Sequence, residues 1–141
     1  MTRRRRRTSR AHCPCGSGLN YGRCCAPFHR GEKVPQSPPQ LVRTRYSAYA
    51  RELVDYIIKT TDPDGEAWQE PLEQWRREIR RFAQKTDFSG VEIVDANQVD
   101  ERATVIFLAR LRRGGQDVSF SEKSRFVYQD GRWLYSAGEP Q

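Results

Sequence analysis

Apolar positions divide this chain into two regimes. Between residues 37 and 85 they recur every three or four places, and from residue 88 they alternate. Ser37-Pro38-Pro39-Gln40 reads as a helix start, with Ser37 as the cap, Pro38 at the first helical position and Gln40 placed to close a capping box. Val42, Tyr46, Tyr49, Ala50 and Leu53 then share one face, while Arg43, Thr44, Ser47 and Arg51 fall mostly off it. A second short helix is expected over 54–60, ending in the turn Asp62-Pro63-Asp64-Gly65. The next begins near Glu70-Pro71. There Trp68, Leu72, Trp75, Ile79 and Phe82 form a narrow apolar stripe, and Arg76, Arg77, Arg80, Arg81 and Lys85 lie away from it. Because Glu73 and Glu78 interrupt the charge, this basic face reads as a solvated exterior.

Strands are expected over 91–97, 103–113, 117–129 and 132–137. They are joined at Asp100-Glu101, Gly114-Gly115 and Asp130-Gly131, and the last two junctions are hairpin signals. Helices followed by an antiparallel meander imply an α+β fold, with the helices packed on a four-stranded antiparallel sheet. Periodicity alone does not choose among the curved-sheet folds of that class.

The first 36 residues follow neither period, and composition explains why. All four cysteines of the 141-residue chain fall in Cys13-Pro14-Cys15-Gly16-Ser17-Gly18-Leu19-Asn20-Tyr21-Gly22-Arg23-Cys24-Cys25. Thiolates are soft ligands suited to zinc, and four of them close a tetrahedral site with no open position. Cys13, Cys15, Cys24 and Cys25 are therefore expected to hold a structural Zn2+. Gly16, Gly18 and Gly22 let the backbone turn and aim amides at sulfur, while Tyr21 and Phe28 supply the only large apolar cover. His12 and His29 are alternative ligands, but beside four thiolates they read as solvated flanking residues. Two disulfides fit the Cys-x-Cys and Cys-Cys spacings poorly, so a reducing cytoplasm is the expected compartment.

The net charge of +7 is concentrated at the start of the chain. Residues 1–33 carry nine Lys/Arg against the single acid Glu32, and the other 16 basic and 17 acidic residues nearly cancel. Residues 1–11 read as a disordered arm whose Arg3, Arg4, Arg5, Arg6, Arg7 and Arg10 attract RNA, DNA or anionic lipid without sequence selectivity. A solubilising tail is the plainer reading of the same charges. No run approaches the roughly 18 apolar residues of a membrane helix.

Candidate chemistry in the second regime centres on Glu122. With Phe120, Ser124 and Phe126 it shares one face of a strand, and if that face is the inner one its carboxylate needs a partner. Arg43, Arg45 or the hydroxyls of Tyr46 and Tyr49 are the expected partners. In one reading Glu122 is a general base or ligand-binding group in a concave pocket lined by Tyr46, Tyr49, Trp133 and Tyr135. In the other it forms a buried pair with an arginine that locks helix to sheet. The domain contains no histidine, phosphate-binding glycine loop or Ser/His/Asp set, so an enzymatic role has no further support.

CPCGSGLNYGRCC resembles the SEC-C motif, the short zinc module at the carboxyl end of the SecA export ATPase, where the fourth ligand is commonly histidine and here is Cys25. With APFHRG, RTRYSAYARELVDYIIKTTDP, FSEKSRF and GRWLYSAG, most of residues 12–138 resembles the YchJ-like family of small SEC-C proteins. That resemblance implies a second part like nuclear transport factor two, a cone-shaped α+β fold. The expected organisation is an arm (1–11), a SEC-C zinc module (12–31), a linker (32–39) and the α+β domain (40–138). The function it implies is that of an adaptor of uncharacterised process. Its basic head would dock on a protein of the export or translation machinery, on RNA or on an anionic surface. The alternative is a small-ligand-binding protein or enzyme using the concavity.

Overall fold

The structure is a computed structural model that describes residues 12–141; Arg3 to Arg7 and Arg10 lie outside the described residues. Four helices, α1 (Ala26–His29), α2 (Pro38–Ala50), α3 (Val54–Lys59) and α4 (Leu72–Lys85), precede five strands. The strands are β1 (Asp87–Val99), β2 (Arg102–Arg113), β3 (Gln116–Asp117), β4 (Phe120–Gln129) and β5 (Arg132–Pro140). The α+β architecture read from the sequence is the one observed.

Ser37 caps α2, its Oγ accepting the Gln40 amide at 3.3 Å. Gln40 Oε1, however, accepts the amide of Gln36 at 2.7 Å, so the capping box closes one residue before the cap. Glu52 sits in the left-handed region (φ 59) and breaks the chain between helices, placing Leu53 at the start of α3 and not at the end of α2. On α4 the expected stripe buries Trp75 and Ile79, together with Ala83. Leu72, at its first turn, remains 37% exposed, because it precedes the point where α4 meets the body.

The sheet is antiparallel in the order β1-β2-β4-β5, with the two-residue β3 paired to β2. The expected third strand is interrupted at Val118-Ser119. Ser119 Oγ accepts the Leu111 amide at 2.9 Å while Asp117 accepts the Ser119 amide, so local side-chain bonds replace the ladder there. Register shifts between Phe88 and Gly90, Ile93 and Asp95, and Arg125 and Phe126 each bend the sheet and raise its twist. The bent sheet curves around α2.

Two hydrophobic clusters result. One lies between α2, α3 and α4, around Ala48, Ile57, Trp75 and Ile79. The other joins α2 to the sheet through Leu41, Val42, Tyr46, Val105 and Phe126, and Cys13, Cys15 and Cys25 belong to it. The cysteine module is thus covered by the core of the domain as well as by Tyr21.

Candidate functional site

The cysteine loop is closed by its own backbone: the Cys13 amide donates to Leu19 O at 2.7 Å, and the Asn20 side chain accepts from Gly22 to start a 3-10 turn over Tyr21–Arg23. The chain reverses at Gly16 and Gly18, with φ of 89° and 86°. Gly16 also lies against β1, where a Cβ would meet Gly90 Cα at 3.1 Å. Here the Val91 amide donates to Cys15 O at 3.0 Å, and Tyr46 OH fills the neighbouring bulge, accepting from the Gly90 amide and donating to Arg110 O, both at 2.7 Å. A bulge leaves backbone groups free of the ladder, and the knuckle and Tyr46 take them up.

This folding brings all four Sγ atoms within 4.8 Å of one another. None forms a disulfide, and the Cys15–Cys24 separation of 3.6 Å far exceeds a bond of about 2.05 Å. Two hydroxyls, with the Ser17 amide at Cys15, take the part at the sulfurs expected of the glycine amides. Ser17 Oγ lies 3.1 Å from Cys24, and Ser47 Oγ lies 3.2 Å from both Cys13 and Cys25. The sulfurs also share protons. Hydrogen bonds to Cys13 and Cys25 hold Cys15 well below the ordinary thiol range, whereas burial pushes Cys24 up to about 11. Hydrogen bonding with Cys13 and Cys15, then burial, pushes Cys25 up as well. Four soft donors that cannot all ionise side by side are a set that can hold a metal ion.

His12 is exposed, as expected, but His29 is not a solvated flank. Its Nε2 lies 2.8 Å from the Thr44 carbonyl and must carry the proton there, leaving Nδ1 to accept from Tyr21 OH at 2.6 Å. The neutral ring thereby ties α1 to α2 and to the cysteine loop. Burial lowers its pKa and keeps it neutral.

On the other side of α2, the helices and the sheet enclose a cavity of about 340 Å³. Trp75, Ile79 and Phe82 of α4 face Phe88, Phe107 and Phe120 of the sheet across it. Its polar end holds Glu122, Ser124 and Tyr135, with Arg45 and Tyr49. A more polar hollow of about 320 Å³ shares Arg45, Tyr49, Gln69, Trp75 and Tyr135 with it. Tyr46 lines the cavity, as expected, although its hydroxyl is committed to the bulge. Trp133 does not line it; that ring is buried farther along β5 against Tyr128, at 5.2 Å between centroids.

The pairing expected for Glu122 is not made. Its Oε2 accepts from Ser124 Oγ at 2.7 Å and from Tyr135 OH at 2.8 Å, and no arginine bridges to it among the described residues. Arg45 instead donates to Ile57 O, Thr60 Oγ1 and Thr61 Oγ1 at 2.8–3.0 Å. The end of α3 leaves carbonyls without helical donors, and the Arg45 guanidinium reaches one of them while stacking on the Tyr135 ring at 4.4 Å. Arg43 is half-buried outside the cavity, its carbonyl 3.7 Å from Cys25 Sγ. Burial and the Glu122 carboxylate push the Tyr135 phenol up, so it remains a donor.

Two residues of these sites escaped sequence reasoning. Ser47 looked like an off-face polar position, and only its complete burial identifies it. Gly138 stands opposite Ser124, where a Cβ would come within 2.2 Å of Glu122 Oε2 and 2.3 Å of Tyr135 OH. The strand expected over 132–137 stops one residue short of it, and only its place within the observed β5 marks the close approach that a strand glycine permits.

Fold and site together define a SEC-C cysteine knuckle seated on an NTF2-like domain. The SEC-C motif matches residues 12–27, and the YchJ middle NTF2-like domain matches residues 37–138. The chain belongs to this YchJ-like family, whose members are called UPF0225 proteins. It is 39% identical over 134 residues to a UPF0225 protein of Serratia proteamaculans, covering 92% of this chain and 84% of that one. It is 41% identical over 138 residues to UPF0225 protein RSc0270 of Ralstonia nicotianae, covering 92% and 91%. The solution structure of a SEC-C motif containing protein from Rhodopseudomonas palustris superposes with a TM-score of 0.80 at 36% identity, covering 93% of this chain and 99% of that one. An NTF-2 like protein of unknown function from Shewanella oneidensis, with a TM-score of 0.55 at 12% identity over 71% of this chain and 92% of its own, shares the fold alone.

Proposed function

We propose that this chain is a zinc-binding interaction protein whose stapled knuckle docks on an anionic partner in the reducing cytoplasm. The convergence of four cysteine sulfurs carries the metal half of the reading. Zn–S bonds of about 2.3 Å in a tetrahedron put sulfurs about 3.8 Å apart. The observed set spans up to 4.8 Å with Cys15 and Cys24 at 3.6 Å, so a small contraction suffices. Four thiolates leave no position for substrate, and zinc there would cross-link the loop, with Ser17 and Ser47 orienting sulfurs.

The docking half rests on what the knuckle turns outward. Gly16, Ser17, Gly18, Gly22 and Arg23 are exposed, and Leu19 projects with 53% of its surface open, directly after the arginine-rich residues 3–10. An exposed leucine on the same loop as Arg23, in the net-positive part of the chain, suits an acidic protein surface, RNA or anionic lipid. The resemblance to the SecA module makes export or translation machinery the first place to look.

Metal analysis of protein purified without added zinc is expected to find about one equivalent. Less than half an equivalent with four reactive thiols would sink the metal reading. Capture by the full chain should fall steeply between 50 and 200 mM salt and on changing Leu19→Glu or Arg23→Glu. Capture that ignores both salt and those substitutions refutes knuckle docking.

A further inference from the structure

We propose that the cavity between α2, α4 and the sheet binds a neutral, largely aromatic or aliphatic molecule bearing a hydroxyl group, which Tyr49 and Glu122 recognise together. Most polar atoms at that end are already committed. Ser124 and Tyr135 donate to Glu122 Oε2, Arg45 to α3, and Tyr46 to β2. Glu122 Oε1 and the Tyr49 hydroxyl take no such bond among the described residues, although both residues line the cavity. Neither is a sealed polar atom lacking a partner, so both are accessible, in side chains that line the cavity. Burial pushes the Tyr49 phenol up, against the lowering pull of Arg45 and with a smaller push from Glu122, so it stays a proton donor.

An acceptor and a donor left over in an aromatic box call for one group that does both. A hydroxyl gives its proton to Oε1 and accepts from Tyr49, which is the full capacity of that group less one lone pair. Charge selects against the alternatives. The Arg45 guanidinium, stacked on Tyr135, offsets Glu122, so an ammonium ion gains little, while an anion would face the carboxylate directly. Glu78 of α4 and Gln69 also line the cavity but are exposed, at its solvent side. The remaining wall is apolar, and its volume of about 340 Å³ suits a small bicyclic body.

The test titrates the full chain with 2-naphthol, naphthalene, 2-naphthoate and 2-naphthylmethylammonium, following amide shifts of the lining residues and Trp75 fluorescence. 2-Naphthol is expected to bind about tenfold more tightly than naphthalene, and more tightly than either ion. Tyr49→Phe keeps the ring against Phe82 and should erase most of that preference while leaving naphthalene affinity unchanged. Ala109→Leu, on the cavity wall, should weaken both. Should Ala109→Leu fail to fold, Tyr49→Phe alone decides. Equal binding of naphthol and naphthalene overturns the proposal. So do tighter binding of either ion, an undiminished preference in Tyr49→Phe, and no shift at the lining residues.

Discussion

The sulfur cluster and the cavity are built on opposite faces of the same helix, yet they treat their polar atoms differently. At the knuckle each identified donor or acceptor is used within the protein: Ser47 serves two sulfurs, His29 spans Tyr21 and Thr44, and Cys15 O is taken by Val91. At the cavity, two polar atoms remain for something else. The first arrangement suits a rigid staple with no reaction to perform, and the second suits a receptor. Polar groups sealed inside a protein are expensive to leave unpaired, and these two escape that cost by staying accessible.

Three perturbations separate these regions. The largest effect is expected from Cys25→Ser, which removes both a candidate metal donor and a member of the core. Stability should fall by about 4 kcal/mol or more in urea denaturation, with loss of bound zinc. If instead the variant stays as stable as the parent after the metal is stripped from both, the knuckle is an appendage and the contrast collapses.

Next comes Gly138→Ala. A methyl placed 2.2 Å from Glu122 Oε2 must displace the carboxylate, costing about 1–3 kcal/mol. Cavity residues should shift in amide spectra while the cysteine loop does not. Coupled shifts at both places would show that α2 transmits strain between them.

The smallest effect is a pH dependence at His29. Its folded pKa is lowered by burial, so its contribution is complete above the ordinary imidazole range near 6.5 and is lost as pH falls toward the folded value. The stability gap between the wild type and His29→Gln should therefore narrow from pH 7 to pH 5. Comparing the two proteins cancels the acid sensitivity of the thiolates. A gap that widens on acidification would show that the ring is charged in the fold.

Much of the fold was legible because its signals are local. Asp100, Asp130, Gly114, Gly115 and Gly131 all adopt positive φ at the expected junctions, as short polar side chains and glycine allow. The α4 stripe was legible through Trp75 and Ile79, though not through Leu72, since periodicity places a residue on a face without saying where a neighbour begins. Ser119 broke a strand that alternation made continuous, because a hydroxyl competing for backbone groups leaves no mark on the hydrophobic pattern.

The sites divide along the same line. The four cysteines were readable from spacing alone, because a set of ligands confined to thirteen residues must converge once the loop turns. Ser47 could not be read, being 34 residues from Cys13 and joined to it only when α2 packs on the knuckle. For Glu122 the sequence determined that a carboxylate shares a strand face with aromatics and would need partners if that face were the inner one. Which partners was a tertiary decision. The end of α3 captured Arg45, β5 brought Tyr135 across from Phe126, and Gly138 cleared the space in which the carboxylate sits. Local chemistry names the groups that must be satisfied, and only the packed chain settles the distances at which they can be.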